Sequence, residues 1–429
     1  MRYGQTFRDC EEANVTASGW KLQSVIAGAG ILLSSYDMGL MAMALVALKH
    51  AWRLTAWELS AVASITSIGM IVGSLAGGVL ADRYGRRGVL VWDYVCFLGA
   101  ALVSAVSPDI WWLLFARLVV GFGVGADFSI SFAFLAEVCP VERRGRTMAW
   151  VMWLANFGTV VAYGVGSWFL AAGGSNDWRW ILATGVVLAI PLIVVRSRVT
   201  ESPLWQRDHQ SLRLRDVVRY FALPNVRGVL GVVQGSYFLY QITDQGLGMF
   251  LPLILISVFG TSIGTAAWSS VLVKAVTIPA ALCTVWLIDR WGRRPLQIFG
   301  FAGRALALLA LGLLFILDRQ VPIPLVAALM VAAYFFGPAG PDKTIVITPA
   351  EQFQTPLRGT GEGLSEMAGR IGGVVGIAGY GVVSALWGTG AGLIFFGGAC
   401  AMGTLLSLKM RETRPNWAGH ETLATSTPQ

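Results

Sequence analysis

Long apolar runs alternate with short polar breaks along nearly the whole chain. The runs extend approximately over Leu22 to Leu48, Thr55 to Ala81, Val89 to Ser107, Ile110 to Val138, Thr147 to Ala172 and Trp180 to Val195. A polar stretch from Arg196 to Arg227 interrupts them. Six more then follow, over Gly228 to Phe259, Thr265 to Ile288, Leu296 to Leu317, Ile323 to Thr348, Gly359 to Trp387 and Gly390 to Leu408. A helix needs about 20 apolar residues to cross a bilayer, so the pattern predicts an all-α membrane protein with twelve transmembrane helices.

The breaks repeat as well as the runs. Gly77-Gly-Val-Leu-Ala-Asp82-Arg-Tyr-Gly-Arg-Arg87 ends one apolar run and leads straight into the next. Leu287-Ile-Asp289-Arg-Trp-Gly-Arg-Arg294 does the same in the second half, almost half of the 429 residues later. Recurrence at that spacing predicts two pseudo-symmetric six-helix bundles, a sequence sign of many secondary transporters. The expected divisions are a cytoplasmic N-terminal segment (1–19), a first bundle (20–196), a cytoplasmic connector (197–227), a second bundle (228–409) and a cytoplasmic tail (410–429). Among Arg207, Asp208, Arg213, Arg215, Asp216 and Arg219 the connector reads as a solvated amphipathic segment.

Composition agrees with a lipid-solvated chain: 55% hydrophobic, 13% charged, mean hydropathy +0.64. The net charge of +8 does not point to nucleic acid, because the arginines sort into alternate loops. One set holds Arg83, Arg86 and Arg87; Arg143, Arg144 and Arg146; Arg198 to Arg219; Arg290, Arg293 and Arg294; and Arg358. The positive-inside rule places that set and both termini in the cytoplasm, with the protein integral to the plasma (inner) membrane. The five cysteines form no CxxC pair and read as packing residues. Met1 to Gly19 is polar, so no cleavable leader is expected and the first helix stays in the membrane. Glycines at Gly121, Gly123 and Gly125, at Gly372, Gly373 and Gly376, and at Gly379 and Gly381 fall at the small-residue spacing that lets membrane helices approach closely.

The two loop copies resemble the cytoplasmic signature of the major facilitator superfamily. Arg117-Leu-Val-Val-Gly121-Phe-Gly-Val-Gly125, with Glu137 and Pro140-Val-Glu-Arg-Arg-Gly145-Arg146, is similar to its fourth helix and following loop. Pro349-Ala350-Glu351 with Arg358-Gly359 resembles the matching segment after helix ten, and Glu201-Ser-Pro203 is similar to the metabolite and sugar porter branches. Tyr36-Asp37-Met38 and Gly125-Ala-Asp127-Phe128 resemble the phosphate:proton symporters, which implies proton-handling roles for Asp37 and Asp127. The chain departs from that group at Gln241, where a carboxylate is usual, and at Asp342 beside Lys343, where asparagine is usual. The resemblance implies the major facilitator fold, transport of a small molecule with protons, no cofactor beyond a proton gradient, and a monomer.

Ionisable residues deep in apolar helices are functional candidates by default, because an unpaired charge there costs several kcal/mol. Asp37 lies roughly midway between Lys21 and Lys49, and Asp127 stands ten positions from both Arg117 and Glu137, roughly 15 Å along the axis from each. His50, His209 and His420 fall outside the apolar runs, so carboxylates must carry any proton. Candidate substrate contacts are Asn156, Tyr237, Tyr240, Gln241, Asp244, Gln245, Asp342, Lys343 and Arg370, with Lys274 as a weaker case. Lys343 either binds an anionic substrate as a point charge or pairs with a carboxylate of another helix; as an adjacent residue, Asp342 is not expected to face it. Gln234, Gln241 and Gln245 share one helix face, while Glu362, Glu366 and Arg370 form a stripe at the start of helix eleven. Acids and arginines at the cytoplasmic helix ends read as a gate: Asp82, Arg83, Arg87, Glu137, Arg144, Asp289, Arg293, Glu351 and Arg358.

These residues predict a proton-coupled symporter of a small polar or anionic metabolite, of carboxylate or phosphate type, working by alternating access. The competing reading is an uncoupled facilitator or proton-driven exporter of a neutral solute such as a sugar or polyol. A membrane enzyme or sensor is disfavoured, since no nucleophile with its base, metal cluster or nucleotide-binding loop is apparent.

Overall fold

The computed structural model describes residues 19–172, 174, 177–202, 205–206, 214–259, 263–317, 322–353 and 357–413. The expectations for the N-terminal segment up to residue 18, for Arg207, Asp208 and Arg213 of the connector, and for the tail beyond residue 413 lie outside these residues. In the first half the chain forms α1 (Gly19–Ala51), α2 (Ala56–Tyr84), α3 (Arg86–Val106), α4 (Ile110–Val138), α5 (Val141–Ala172) and α6 (Asp177–Arg196). A short amphipathic connector helix, α7 (Leu214–Ala222), follows. The second half contains α8 (Pro224–Phe259), α9 (Ile263–Ala275), α10 (Thr277–Trp291), α11 (Arg293–Leu317), α12 (Ile323–Phe336), α13 (Pro341–Gln352) and α14 (Arg358–Ser407).

Helices satisfy their backbone groups internally, which lipid requires. Eleven helical stretches among the described residues are long and apolar enough to span a bilayer. The last, α14, contains Gly388 at φ 85°, ψ 170°, a non-helical backbone that bends it into two, and the count reaches the expected twelve. Two apolar runs that read as continuous helices are interrupted. The eighth breaks at Val276, three residues before Pro279, which has no N–H to offer the carbonyl of Ala275. The tenth breaks over 337–340 in the stretch Gly337-Pro-Ala-Gly-Pro341, and Pro341 starts the new helix in the first turn, where a missing N–H breaks no intrahelical bond.

Charged side chains lie within the apolar core, and large aromatics are turned outward. Trp111, Trp168, Trp180 and Trp286 face outward, while Asp37, Arg117, Asp127, Arg196, Arg304 and Arg370 are buried. Close backbone approach holds each half together. A methyl added at Gly73 or Gly121 would run into a backbone carbonyl across the α2–α4 contact, and at Gly372 or Gly376 into one of α8. The halves meet in the same way: Gly78 of α2 lies against the Gly359 carbonyl of α14, and Gly363 of α14 against Ser74 of α2. Elsewhere α5 packs on α9 and α10, and α1 on α8.

The duplication is visible atom by atom at the arginine-rich face. Gly85 and Gly292 turn the chain at φ 98° and 93°, in the region open to glycine. Just past them the amides of Arg86 and Arg87 donate to Glu201 (2.8 and 3.2 Å), and those of Arg293 and Arg294 to Glu412 (2.9 and 3.0 Å). Arg86 pairs with Glu137 at 2.8 Å and Arg293 with Glu351 at 2.6 Å. Glu201 and Glu412 are thus anchored on the N-termini of α3 and α11, where dipole and free N–H groups favour an anion.

Candidate functional site

Between the halves lies a cavity of about 130 Å³. The first half contributes Ser35 of α1, Phe128 of α4, and Asn156, Thr159 and Tyr163 of α5. From α8 come Tyr237, Tyr240, Gln241, Asp244 and Gln245; Lys274, Tyr334, Asp342 and Arg370 complete the wall. The helix breaks explain the charges. Lys274 sits in the last turn of α9 and Asp342 in the first turn of α13, so each charge meets the helix end of opposite partial charge. Half-helix ends of this kind at a repeat interface are where transporters place solutes and ions.

Most of the charges on this wall are paired. Asp244 accepts from Arg304 at 3.2 Å and from the Tyr240 hydroxyl at 3.1 Å. Asp342 accepts from Asn156 Nδ2 at 3.0 Å, a bond across the halves, and pairs with Lys343. Arg370 pairs with Glu366, which also takes the Tyr237 hydroxyl, and its guanidinium lies 5.0 Å over Phe128. Tyr163 of the first half donates to the Gly248 carbonyl of the second at 2.7 Å.

All the substrate-contact candidates read from the sequence line this cavity except Lys343. That side chain is fully buried and turned onto its neighbour Asp342. The expectation that adjacent residues cannot meet is corrected here: these are the second and third residues of α13, and the lysine is long enough for its Nζ to reach the Asp342 carboxylate. Lys274, ranked below it in the sequence, is the lysine that faces the cavity. The glutamine face divides, with Gln241 and Gln245 on the cavity and Gln234 donating to the Leu364 carbonyl at 3.2 Å.

Asp37 and Asp127 are buried inside the first half and do not line the cavity. Arg117 Nη1 lies 3.1 and 2.9 Å from the two Asp37 oxygens. Asp127 pairs with Arg196 and accepts from Ser34 at 3.0 Å and Ser131 at 2.9 Å; Asp93 stands 3.5 Å from the same guanidinium. The Arg196 guanidinium also lies 4.1 Å over the Tyr94 ring. Arg196, Asp93 and Arg304 were not singled out in the sequence. Arg196 ends an apolar run at a helix terminus, which masked its reach toward Asp127.

At the arginine-rich face the gate candidates separate into those that cross the halves and those that do not. Asp82 accepts from the Gly359 amide (3.2 Å), the Thr360 amide (2.7 Å) and the Thr360 hydroxyl (2.7 Å), so one half caps a helix of the other. Arg358 lies 3.8 Å from Glu137, and Arg146 lies 3.4 Å from Asp289, which also meets Arg293 at 3.4 Å. Glu351 stays with Arg293 in its own half and accepts from Thr413 at 2.6 Å. Arg144 is half-buried at the same face. Two gate assignments need correction: Arg83 is exposed with its guanidinium 5.3 Å over Tyr84, and Arg87 reaches the Ser197 carbonyl of its own half at 3.5 Å. Asp82 and Arg86 meet each other at 2.8 Å across the Gly85 turn, on the inner side, while the side chains of 83 and 87 are exposed. The contacts that do cross tie the two halves together at this face.

Comparison with known proteins adds the context. Residues 22–217 and 232–416 match the family model described as sugar (and other) transporter. The arabinose-proton symporter of Bacillus subtilis (strain 168) is 28% identical over 385 residues, covering 80% of this chain and 81% of that protein. The galactose-proton symporter of Escherichia coli (strain K12) is 26% identical over 312 residues, covering 66% and 67%. Among solved structures, the major facilitator proton:xylose symporter XylE bound to 6-bromo-6-deoxy-D-glucose superposes with a TM-score of 0.79 at 20% identity, covering 93% of this chain and 97% of that one. The human organic anion transporter MFSD10 gives 0.74 at 16% identity, covering 90% and 99%.

Proposed function

The chain belongs to the sugar (and other) transporter family, and from that premise we propose that it is a proton-coupled symporter of a small polar or anionic metabolite, of carboxylate or phosphate type, working by alternating access. Membership makes it an integral membrane transporter rather than an enzyme. The observation that supports the finer reading is the cavity itself: polar and charged groups from both halves converge on one space, and Asp82, Arg146 and Arg358 join the halves at the arginine-rich end. Ion pairs made when that end is closed and hydrated when it opens bias a two-state rocking motion. The positive-inside rule makes that end cytoplasmic in the plasma (inner) membrane, and a monomer contains the complete site.

Proton coupling is assigned to Asp37 and Asp127. Each is a buried carboxylate held by an arginine, and protonation would release that arginine and loosen helix contacts within the first half. The phosphate part of this reading rests on the sequence around these two positions alone. The relatives named for arabinose and galactose favour a second reading, a neutral sugar or polyol as solute. The test is uptake into proteoliposomes under an imposed pH gradient with a panel of carboxylates, phosphate and sugars. Asp127→Asn is expected to abolish proton-driven accumulation while leaving solute counterflow; normal accumulation by that variant removes Asp127 from the mechanism, and uptake without proton movement favours a facilitator.

A further inference from the structure

We propose that Lys274 anchors the negative charge of the transported solute, and that this solute is a hydroxylated monocarboxylate rather than a dianion or a neutral sugar. The inference rests on the solute-carrying reading of the same cavity. It follows from the charges on the wall. Asp244 is matched by Arg304, Asp342 by Lys343, and Arg370 by Glu366. Lys274 is 9% exposed and lines the cavity, yet none of the ion pairs among the described residues includes it.

What surrounds the ammonium compensates it only in part: Asp244 and Asp342 attract it without forming an ion pair with it, each being paired already with Arg304 or Lys343. Its Nζ lies 4.8 Å from the centroid of Tyr334 and 5.7 Å from that of Tyr163. Both hydroxyls are turned to α8, donating to the carbonyls of Leu247 (3.1 Å) and Gly248 (2.7 Å). Ring faces therefore meet the lysine. Cation–π attraction of this kind is weaker than the desolvation of a buried ion, so the site gains most from an incoming anion. One unmatched cation suits one negative charge, because Arg370 is already committed to Glu366. The rest of the solute faces hydroxyl-binding groups: Gln241, whose Oε1 is buried without a partner, together with Gln245 and Thr159. A lysine offers a compact charge with three donors and no fixed fork, suited to a carboxylate approached from one side.

The test is calorimetric binding to the full chain in nanodiscs, using glycerate, threonate and gluconate, each against its matching alditol, with inorganic phosphate, at a pH well above its second pKa, as the dianion. At least one acid is expected to bind about tenfold or more tightly than its alditol, with parity in Lys274→Gln and preference retained in Lys274→Arg. The readout is a ratio within each variant, so general damage to the fold does not imitate it. Equal binding of every acid and alditol, no acid binding, tighter phosphate binding, or a preference that survives Lys274→Gln each overturns the proposal. Proton-driven uptake measured on the same preparation separates the two readings. Acid preference without uptake removes the symport reading and leaves this one, whereas accumulation of a neutral sugar with no acid preference does the reverse.

Discussion

A charge buried away from water is tolerated when an opposite charge and hydrogen bonds replace the solvent, and removing one partner leaves the other exposed to the full penalty. Asp37 and Arg117 are such a couple, both fully buried. Asp37→Ala is therefore expected to destabilise the protein by about 3–5 kcal/mol, seen as a fall in thermal unfolding temperature in nanodiscs. Adding Arg117→Leu should recover most of that stability while leaving proton-driven accumulation absent. Recovery of both would reduce the pair to a structural role. The depth of the acids could be read from the sequence because position in a helix sets depth. Their arginines could not, since Arg117 and Arg196 come from helices far along the chain and only packing brings them together.

Helix interruptions are decided by proline and glycine, but their consequence depends on neighbours. The break over 337–340 starts α13 at Pro341 and so sets Asp342 at a helix N-terminus, where it meets Asn156 of the other half. Gly340 allows this because its Cα faces the backbone of Leu296 and Gly300, with no room for a methyl. Gly340→Ala is expected to cost about 1–3 kcal/mol through overpacking against backbone that cannot yield. Solute affinity should fall with it as Asp342 shifts; an unchanged unfolding temperature and affinity would show that α11 gives way. The chain carried the prolines in plain view, yet a hydropathy run through Ile323 to Thr348 reads as one helix because the break itself is apolar. The eighth run hid its break in the same way.

Across the whole molecule, a small number of directional contacts join the two halves at the arginine-rich end. Asp82 supplies three of them to Gly359 and Thr360. Each hydrogen bond to a charged group contributes about 1.5–3 kcal/mol, so Asp82→Ala is expected to shift the rocking equilibrium toward opening at that end. Spin-label distances between the facing ends of α5 and α10 should lengthen. Arg83→Ala, which removes an exposed side chain lying over Tyr84, should leave the distances unchanged. If both variants behave alike, the closure is held by the glycine contacts of α2 and α14 instead.

Repeated apolar runs, the paired Asp-Arg-x-Gly-Arg-Arg loops and the buried acids were determined by the amino-acid sequence alone, because lipid imposes length, periodicity and loop charge on every membrane-spanning segment regardless of its partners. Those signals were enough for the fold and for most of the cavity wall. Which lysine faces the cavity, which arginine answers which aspartate, and which loop arginines cross the halves were settled only in three dimensions. Hydropathy fixes the depth of a residue in the membrane, whereas the direction of its side chain and the charge beside it come from how helices distant in sequence pack together.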